Sequence, residues 1–308
     1  MKFLSIAAAS VIAMAHAAAA STFGPLVTPQ ELASSLDESS PVIIDIRGDL
    51  YAEGHLPGAL SAPYGQFRGP KTNPGQILEA RELESLYESL GLQLDEPIVI
   101  VYEGGSSSDF GAAARVYWTL KSTGFEDLTI LNGGYRAWTA ANLPTSKDPV
   151  IPVPSELDIT FSQQWTVTTD EAAEKALDGS ALLVDARTTE FFEGDKKHPA
   201  AARPGAAPGA VNYVFAKFFD SGSAAIQSRI DTDAVKEAIG LSEGDEVVAY
   251  CNTGHWAAIN WFALSEVGGI DNVKLYPGSM VEYSQAGHRM MNTPGLFKNL
   301  KNQLLGDN

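Results

Sequence analysis

The chain repeats itself, and a tandem repeat this long limits the folds open to it more than any other feature. VIIDIRGDLYAEG at 42–54 matches LLVDARTTEFFEG at 182–194, pairing Asp45 with Asp185, Arg47 with Arg187 and Gly54 with Gly194 at a constant spacing of 140. Further on, LPGALSAPY at 56–64 matches APGAVNYVF at 207–215 at a spacing of 151, so the second copy carries an 11-residue insertion around KKHPAAARPGA. PIVIVYEGG (97–105) lies over the stretch EVVAYCNTG, and LNGGYRAW (131–138) over YPGSMVEY (276–283). Matching Tyr102 to Tyr250 puts Glu103 where Cys251 stands in the second copy. The proline-rich stretch PTSKDPVIPVPSE between the copies has little periodicity and reads as a linker. The expected organisation is a signal peptide at 1–20, a first domain at 21–145, a linker at 146–160 and a second domain at 161–308.

Each copy contains short apolar runs bounded by turn residues, at 42–44, 98–101 and 128–131 in the first and at 182–184, 247–249 and 273–276 in the second. Such runs are the pattern of strands buried on both faces. Helical spacing follows them: Ala113, Val116, Tyr117 and Leu120 run up to Gly124, and Ile259, Phe262, Ala263 and Val267 run up to Gly268 and Gly269. Strands alternating with helices predict an α/β fold, a parallel sheet with helices on both faces, built twice.

The opening MKFLSIAAASVIAMAHAAAA carries Lys2, an apolar stretch and small residues that offer cleavage after Ala17 or Ala20. It reads as a secretory signal, its apolar part being too short for the roughly 20 residues of a membrane span. The mature protein is therefore expected in a periplasm or secreted, free of the membrane and monomeric. A formal charge of −17 argues against nucleic acid as a partner and requires any anionic substrate to meet a locally positive site.

Cys251 is the chain's one cysteine, so it forms no disulfide within the chain. A lone thiol can be an inert core residue. Its place argues otherwise, because in a parallel sheet ligands bind beyond the carboxyl ends of strands, where loops run into helix N-termini. Cys251 follows the strand EVVAY, the turn can pass through Gly254, and a helix starts a few residues on. Amides of such a loop form a nest for negative charge and favour the thiolate, the nucleophilic form.

The motifs DIRGDLYAEGHLPGAL, DAR and LNGGYRAW, with the strand–Cys–loop–helix segment, resemble the tandem-domain rhodanese sulfurtransferases from about Val27 to about Pro294. The resemblance implies two rhodanese-like domains, the first inactive because an acidic residue, Glu103, takes the cysteine position. It implies that Cys251 removes the outer sulfur of a small anionic donor such as thiosulfate or 3-mercaptopyruvate, forms a persulfide, and passes the sulfur to cyanide or a thiol, with neither metal nor cofactor. Arg187 matches an arginine that binds the donor's anionic group, or packs the domain as Arg47 would in the first copy. The active-site loop is then Cys251, Asn252, Thr253, Gly254, His255 and Trp256. It holds no lysine, so the cation for the donor is missing or comes from elsewhere.

Within the loop, His255 carries charge near neutral pH or only packs; Trp256 walls a donor pocket or joins the core; Asn252 and Thr253 bond the sulfur group or brace the turn. The inserted Lys196, Lys197, His198 and Arg203 read as a solvated loop. Two rival functions remain. A cysteine phosphatase would need an arginine where Ala257 stands, and without that fork the phosphoryl group lacks its clamp. A persulfide carrier would use the same cysteine without turnover.

Overall fold

The computed structural model describes residues 22–295, so the signal-peptide expectation and the end of the second domain lie outside the described residues. In the first half, β1 (Leu26–Val27), β2 (Val42–Asp45), β3 (Leu60–Ser61), β4 (Ile98–Val101) and β5 (Leu128–Leu131) form one parallel sheet in the order β1-β5-β4-β2-β3. In the second, β6 (Leu182–Asp185), β7 (Val211–Asn212), β8 (Val247–Tyr250) and β9 (Val273–Leu275) form a parallel sheet in the order β7-β6-β8-β9, and a parallel bridge from Thr166 to Leu275 stands where β1 lies in the first. The repeat in sequence is thus a repeat in topology.

The helices that cover the first sheet are α1 (Pro29–Ser39), α2 (Ala80–Leu90), α3 (Phe110–Ser122) and α4 (Gly134–Ala140). Those of the second are α5 (Thr169–Asp178), α6 (Thr189–Phe192), α7 (Thr232–Ile239), α8 (Trp256–Phe262) and α9 (Ser279–Gln285). Even the caps repeat: Thr28 with Glu31 and Thr168 with Glu171 form capping boxes that fix the starts of α1 and α5, each satisfying amides the helix leaves unpaired. Because both faces are covered, the central strands are buried throughout. Ile98 and Ile100 of β4 face one core while Val99 and Val101 face another that includes Leu32 and Trp138. In β8, Val248 and Tyr250 face the core with Ala172 and Ala173, whereas Val247, Ala249 and then Cys251 face the opposite one.

That second core is shared between the domains. Helix α3 is apolar nearly all round and buried along almost its whole length, the mark of a helix enclosed on every side. It packs on α8 of the other domain, with Phe110 and Phe262 ring centroids 5.3 Å apart and Tyr117 and Phe262 5.1 Å apart, both edge to face. Helices α3 and α8 each follow the central strand of their sheet, so the two domains meet through equivalent faces, and the loop carrying Cys251 opens onto the junction. Residues 147–162 form neither helix nor strand and are tied to the first domain: the Ser155 and Leu157 amides donate to Glu88, and the Ile159 amide to Glu84.

The inserted segment departs from the solvated loop expected of it. Ala201 is buried, the Ala202 amide donates to Ser284 Oγ of α9, and Gln285 Nε2 reaches both Ala200 O and Thr72 O of the first domain. Small residues between its charges let it lie flat on α9.

Candidate active site

Strand β8 delivers Cys251 to the floor of the domain junction, where the residue is only 2 % exposed. The loop is held from below by Ser279, whose Oγ accepts from the amides of Cys251 (3.0 Å) and Gly254 (3.1 Å) and donates to Tyr276 O. Next to it, the Met280 and Val281 amides donate to the carbonyls of Cys251 and Asn252. These bonds tie the loop to the β9–α9 turn. Among the described residues the amides of Asn252, Thr253 and His255 donate to no protein acceptor, which leaves them as the loop's donors for a bound group. Gly254 has φ +70°, a left-handed conformation that favours glycine, and a Cβ there would meet the Arg115 guanidinium and Pro277 O.

The strand register corrects one reading of the repeat. Asp45 pairs with Val101 in β2–β4 and Asp185 with Tyr250 in β6–β8, so Val101 corresponds to Tyr250 and Tyr102 to Cys251. Hydrogen bonds agree: Tyr135 and Arg136 amides donate to Tyr102 and Glu103 carbonyls just as Met280 and Val281 do to Cys251 and Asn252. Glu103 therefore stands at the Asn252 position and a buried tyrosine at the cysteine position. Aligning the two tyrosines had shifted the pairing by one residue.

Arg187 lies beneath the loop. Its Nε and one terminal nitrogen bond Asp185 (2.9 and 2.6 Å), that nitrogen also reaches Gly205 O, and the other contacts Asn252 Oδ1 at 3.4 Å. Burial opposes its charge, and the Asp185 carboxylate outweighs this and raises its pKa. Arg47 repeats the pattern with Asp45, Gly54 O and Glu103. In both copies the guanidinium is held by an aspartate and a backbone carbonyl, and Arg187 reaches the cysteine loop through Asn252, an arrangement that packs the domain.

His255 is clasped by the first domain. Its Nε2 faces Ser108 O (2.9 Å), which can only accept, so Nε2 carries the proton and Nδ1 accepts from Tyr64 OH (3.0 Å). Burial, with Arg68 and Arg115 adding repulsion, pushes the imidazole pKa down to about 4. His255 is thus neutral near pH 7 and serves as a latch between domains. Gly111 makes room for it, since a Cβ there would collide with the imidazole. Trp256 donates to Ser108 Oγ (2.8 Å) and stacks on Phe215 with centroids 4.9 Å apart, so it joins the junction's packing while staying partly exposed beside the cysteine loop.

Sequence reasoning missed the residues that the first domain sends to this loop. Arg68 donates to Thr253 O (2.8 Å) and lies over the Tyr64 ring, and Arg115, on α3, is 1 % exposed, bonds Gly75 O and lies over Trp118. Burial and then Arg68 lower the Arg115 pKa to about 9, while Tyr64 and Cys251 oppose the shift. A charge in the middle of the apolar FGAAARVYWTLKS was the one signal in the sequence that could have found Arg115.

Residues 28–141 and 168–286 each match the model of the rhodanese-like domain. The chain belongs to the rhodanese-like family. Among its relatives, the thiosulfate sulfurtransferase of Azotobacter vinelandii is 30 % identical over 262 residues, covering 84 % of this chain and 93 % of that one. The sulfur carrier protein TtuD of Thermus thermophilus is 26 % identical over 272 residues, with 84 % and 93 % covered. Among solved structures, SseA of Escherichia coli, a 3-mercaptopyruvate sulfotransferase of "rhodanese" fold, superposes with a TM-score of 0.72 at 23 % identity over 83 % of this chain and 98 % of that one, a likeness of fold. Both rhodanese-like domains of the present chain are thus complete enough to carry sheet and helices, and one of them carries a cysteine.

Proposed function

We propose that this rhodanese-like protein is a sulfurtransferase that takes sulfane sulfur from a small anionic donor, thiosulfate or a related compound such as 3-mercaptopyruvate, and gives it to cyanide or a thiol. The observation that carries the reading is the placement of the one cysteine: at the end of β8, in a loop with three free amides, at a junction lined by guanidinium groups. In the first half-reaction the Cys251 sulfur attacks the outer sulfur of thiosulfate. A new S–S bond forms, the donor's S–S bond breaks, and sulfite leaves with the electron pair. In the second, cyanide attacks the outer sulfur of the persulfide, thiocyanate departs, and the Cys251 thiolate is restored. The first half-reaction forms the persulfide and releases sulfite before the second consumes it, so the kinetics are ping-pong. The loop amides stabilise the anionic persulfide, as a nest does any small anion.

The test is thiocyanate formation by purified protein from thiosulfate and cyanide, beside Cys251→Ser. The wild type turns over and acquires one extra sulfur atom when treated with donor alone; the variant does neither. Turnover undiminished in Cys251→Ser would remove the mechanism. The likeness to a sulfur carrier supports a second reading, in which Cys251 is loaded and hands its sulfur only to a protein partner; loading without turnover on small acceptors favours it. We propose further that the chain works after export, on the strength of its opening 20 residues, and that the first domain is a non-catalytic copy because Tyr102 holds the cysteine position.

A further inference from the structure

We propose that the first domain, which has no cysteine, provides the anion-binding half of the active site: Arg68 and Arg115 hold the charged group of the sulfur donor while Cys251 takes its sulfur. This rests on the sulfurtransferase reading and adds to it which residues select the substrate.

Three guanidinium nitrogens carry the argument. Arg68 Nη1, Arg115 Nε and Arg115 Nη1 are buried and have no acceptor among the described residues, although buried guanidinium N–H groups are almost always paired. Two of them sit against the cysteine loop. Arg68 Nη1 shares a guanidinium with the nitrogen that donates to Thr253 O, and Arg115 Nη1 lies so near Gly254 that a methyl group there would strike it. Leaving a charged donor buried and unmatched is costly, and an anion with several acceptor oxygens removes that cost in one step.

The local charge balance points the same way. Arg68 and Arg115 are close enough to repel each other and His255, and among the described residues no carboxylate bonds either one. The inserted segment brings Lys197 to the same rim, where it and Arg68 both lie close enough to half-buried His198 to disfavour its charged form. In a chain of net charge −17 such a concentration of unpaired cations is the locally positive site a small anion requires. Arg187, by contrast, has Asp185 beside it. The class of donor this favours has its negative charge spread over several oxygens beside the sulfur to be transferred, as a thiosulfonate group does.

The test uses two reagents of equal chemistry and different charge. Iodoacetate and iodoacetamide both alkylate Cys251, the one cysteine, and the ratio of their rates, normalised to free glutathione, reports the attraction of an anion to the site independently of turnover. The wild type favours iodoacetate; Arg68→Gln lowers the ratio about tenfold, the loss of one charge-assisted hydrogen bond, and raises the KM for thiosulfate. Arg115→Lys keeps the charge but not the fork and lowers the ratio less. Near-ultraviolet circular dichroism checks the fold, and a variant of Arg115 that fails to fold leaves Arg68→Gln as the deciding measurement. Equal changes in both alkylation rates, or no change in the ratio, would overturn the proposal and reduce the arginines to packing. A charge preference without any sulfur transfer would keep the anion site and discard the sulfurtransferase reading; sulfur transfer with an unchanged ratio in Arg68→Gln would do the reverse.

Discussion

Gly254→Ala tests whether the cysteine loop is as firmly seated as its contacts require. The residue has φ +70°, so any side chain costs about 1–2 kcal/mol of backbone strain. A Cβ would also lie 2.5 Å from Pro277 O and 2.9 Å from Pro277 Cα, in addition to meeting Arg115. Pro277 is backbone of the turn that Ser279 ties to the loop, so neither side can yield without breaking the bonds from Cys251 and Gly254 to Ser279 Oγ. Overpacking of this kind adds about 1–3 kcal/mol, giving a loss of about 2–5 kcal/mol. Gly179→Ala is the control: its φ is +72° but nothing lies within 4 Å of a Cβ there, so it carries the strain without the clash. Urea unfolding of both variants, followed by tryptophan fluorescence, measures the difference. Gly254→Ala should be the less stable by about 1–3 kcal/mol and should lose sulfur transfer out of proportion to its remaining folded fraction. Equal losses in the two variants would refute the clash and with it the claim that the loop is gripped between Arg115 and the β9–α9 turn.

Protonation of His255 should make stability depend on pH. Its pKa is about 4 in the folded protein against an ordinary 6.5, so between those values the unfolded chain binds a proton that the native one does not. Its contribution is complete above pH 6.5 and is lost as the pH falls towards 4, by up to about 3 kcal/mol; His255→Gln, compared by urea unfolding at about pH 7 and about pH 5, should lack that slope, and an unchanged slope would assign it to other groups. Arg187→Gln and Arg47→Gln each leave a buried aspartate without its partner and should each cost about 3–5 kcal/mol in denaturant unfolding. If Arg187→Gln instead raised the donor KM with stability intact, the arginine would be a donor ligand after all.

The fold was legible because its signals are local. Apolar runs such as IVIV and VVAY, periodic helices and the spacing of 140 between the Asp–x–Arg motifs need only neighbouring residues to be read, and the two parallel sheets follow from them. Cys251 was legible for the same reason: strand, thiol and helix are consecutive. The off-by-one match at Tyr102 marks where local reading fails, since two tyrosines look alike in sequence while only the sheet register tells which one replaces the thiol.

The charge state of His255 was hidden for a different reason. It depends on Tyr64 and Ser108, 191 and 147 residues away, and on two arginines from another domain, none of which sequence spacing connects to the loop. The same distance concealed Arg68 and Arg115, yet the loop's own composition asked for them. A cysteine loop without a lysine, in an acidic chain, can meet an anion only if cations arrive from outside it, and the face that covers the loop belongs to the first domain. On this proposal the second copy supplies the nucleophile and the first the anion site, so the tandem arrangement has a use although Tyr102 stands at the cysteine position of the first copy: isolated from its partner, the second domain would retain Cys251 and Ser279 but lose every guanidinium that its donor is proposed to meet.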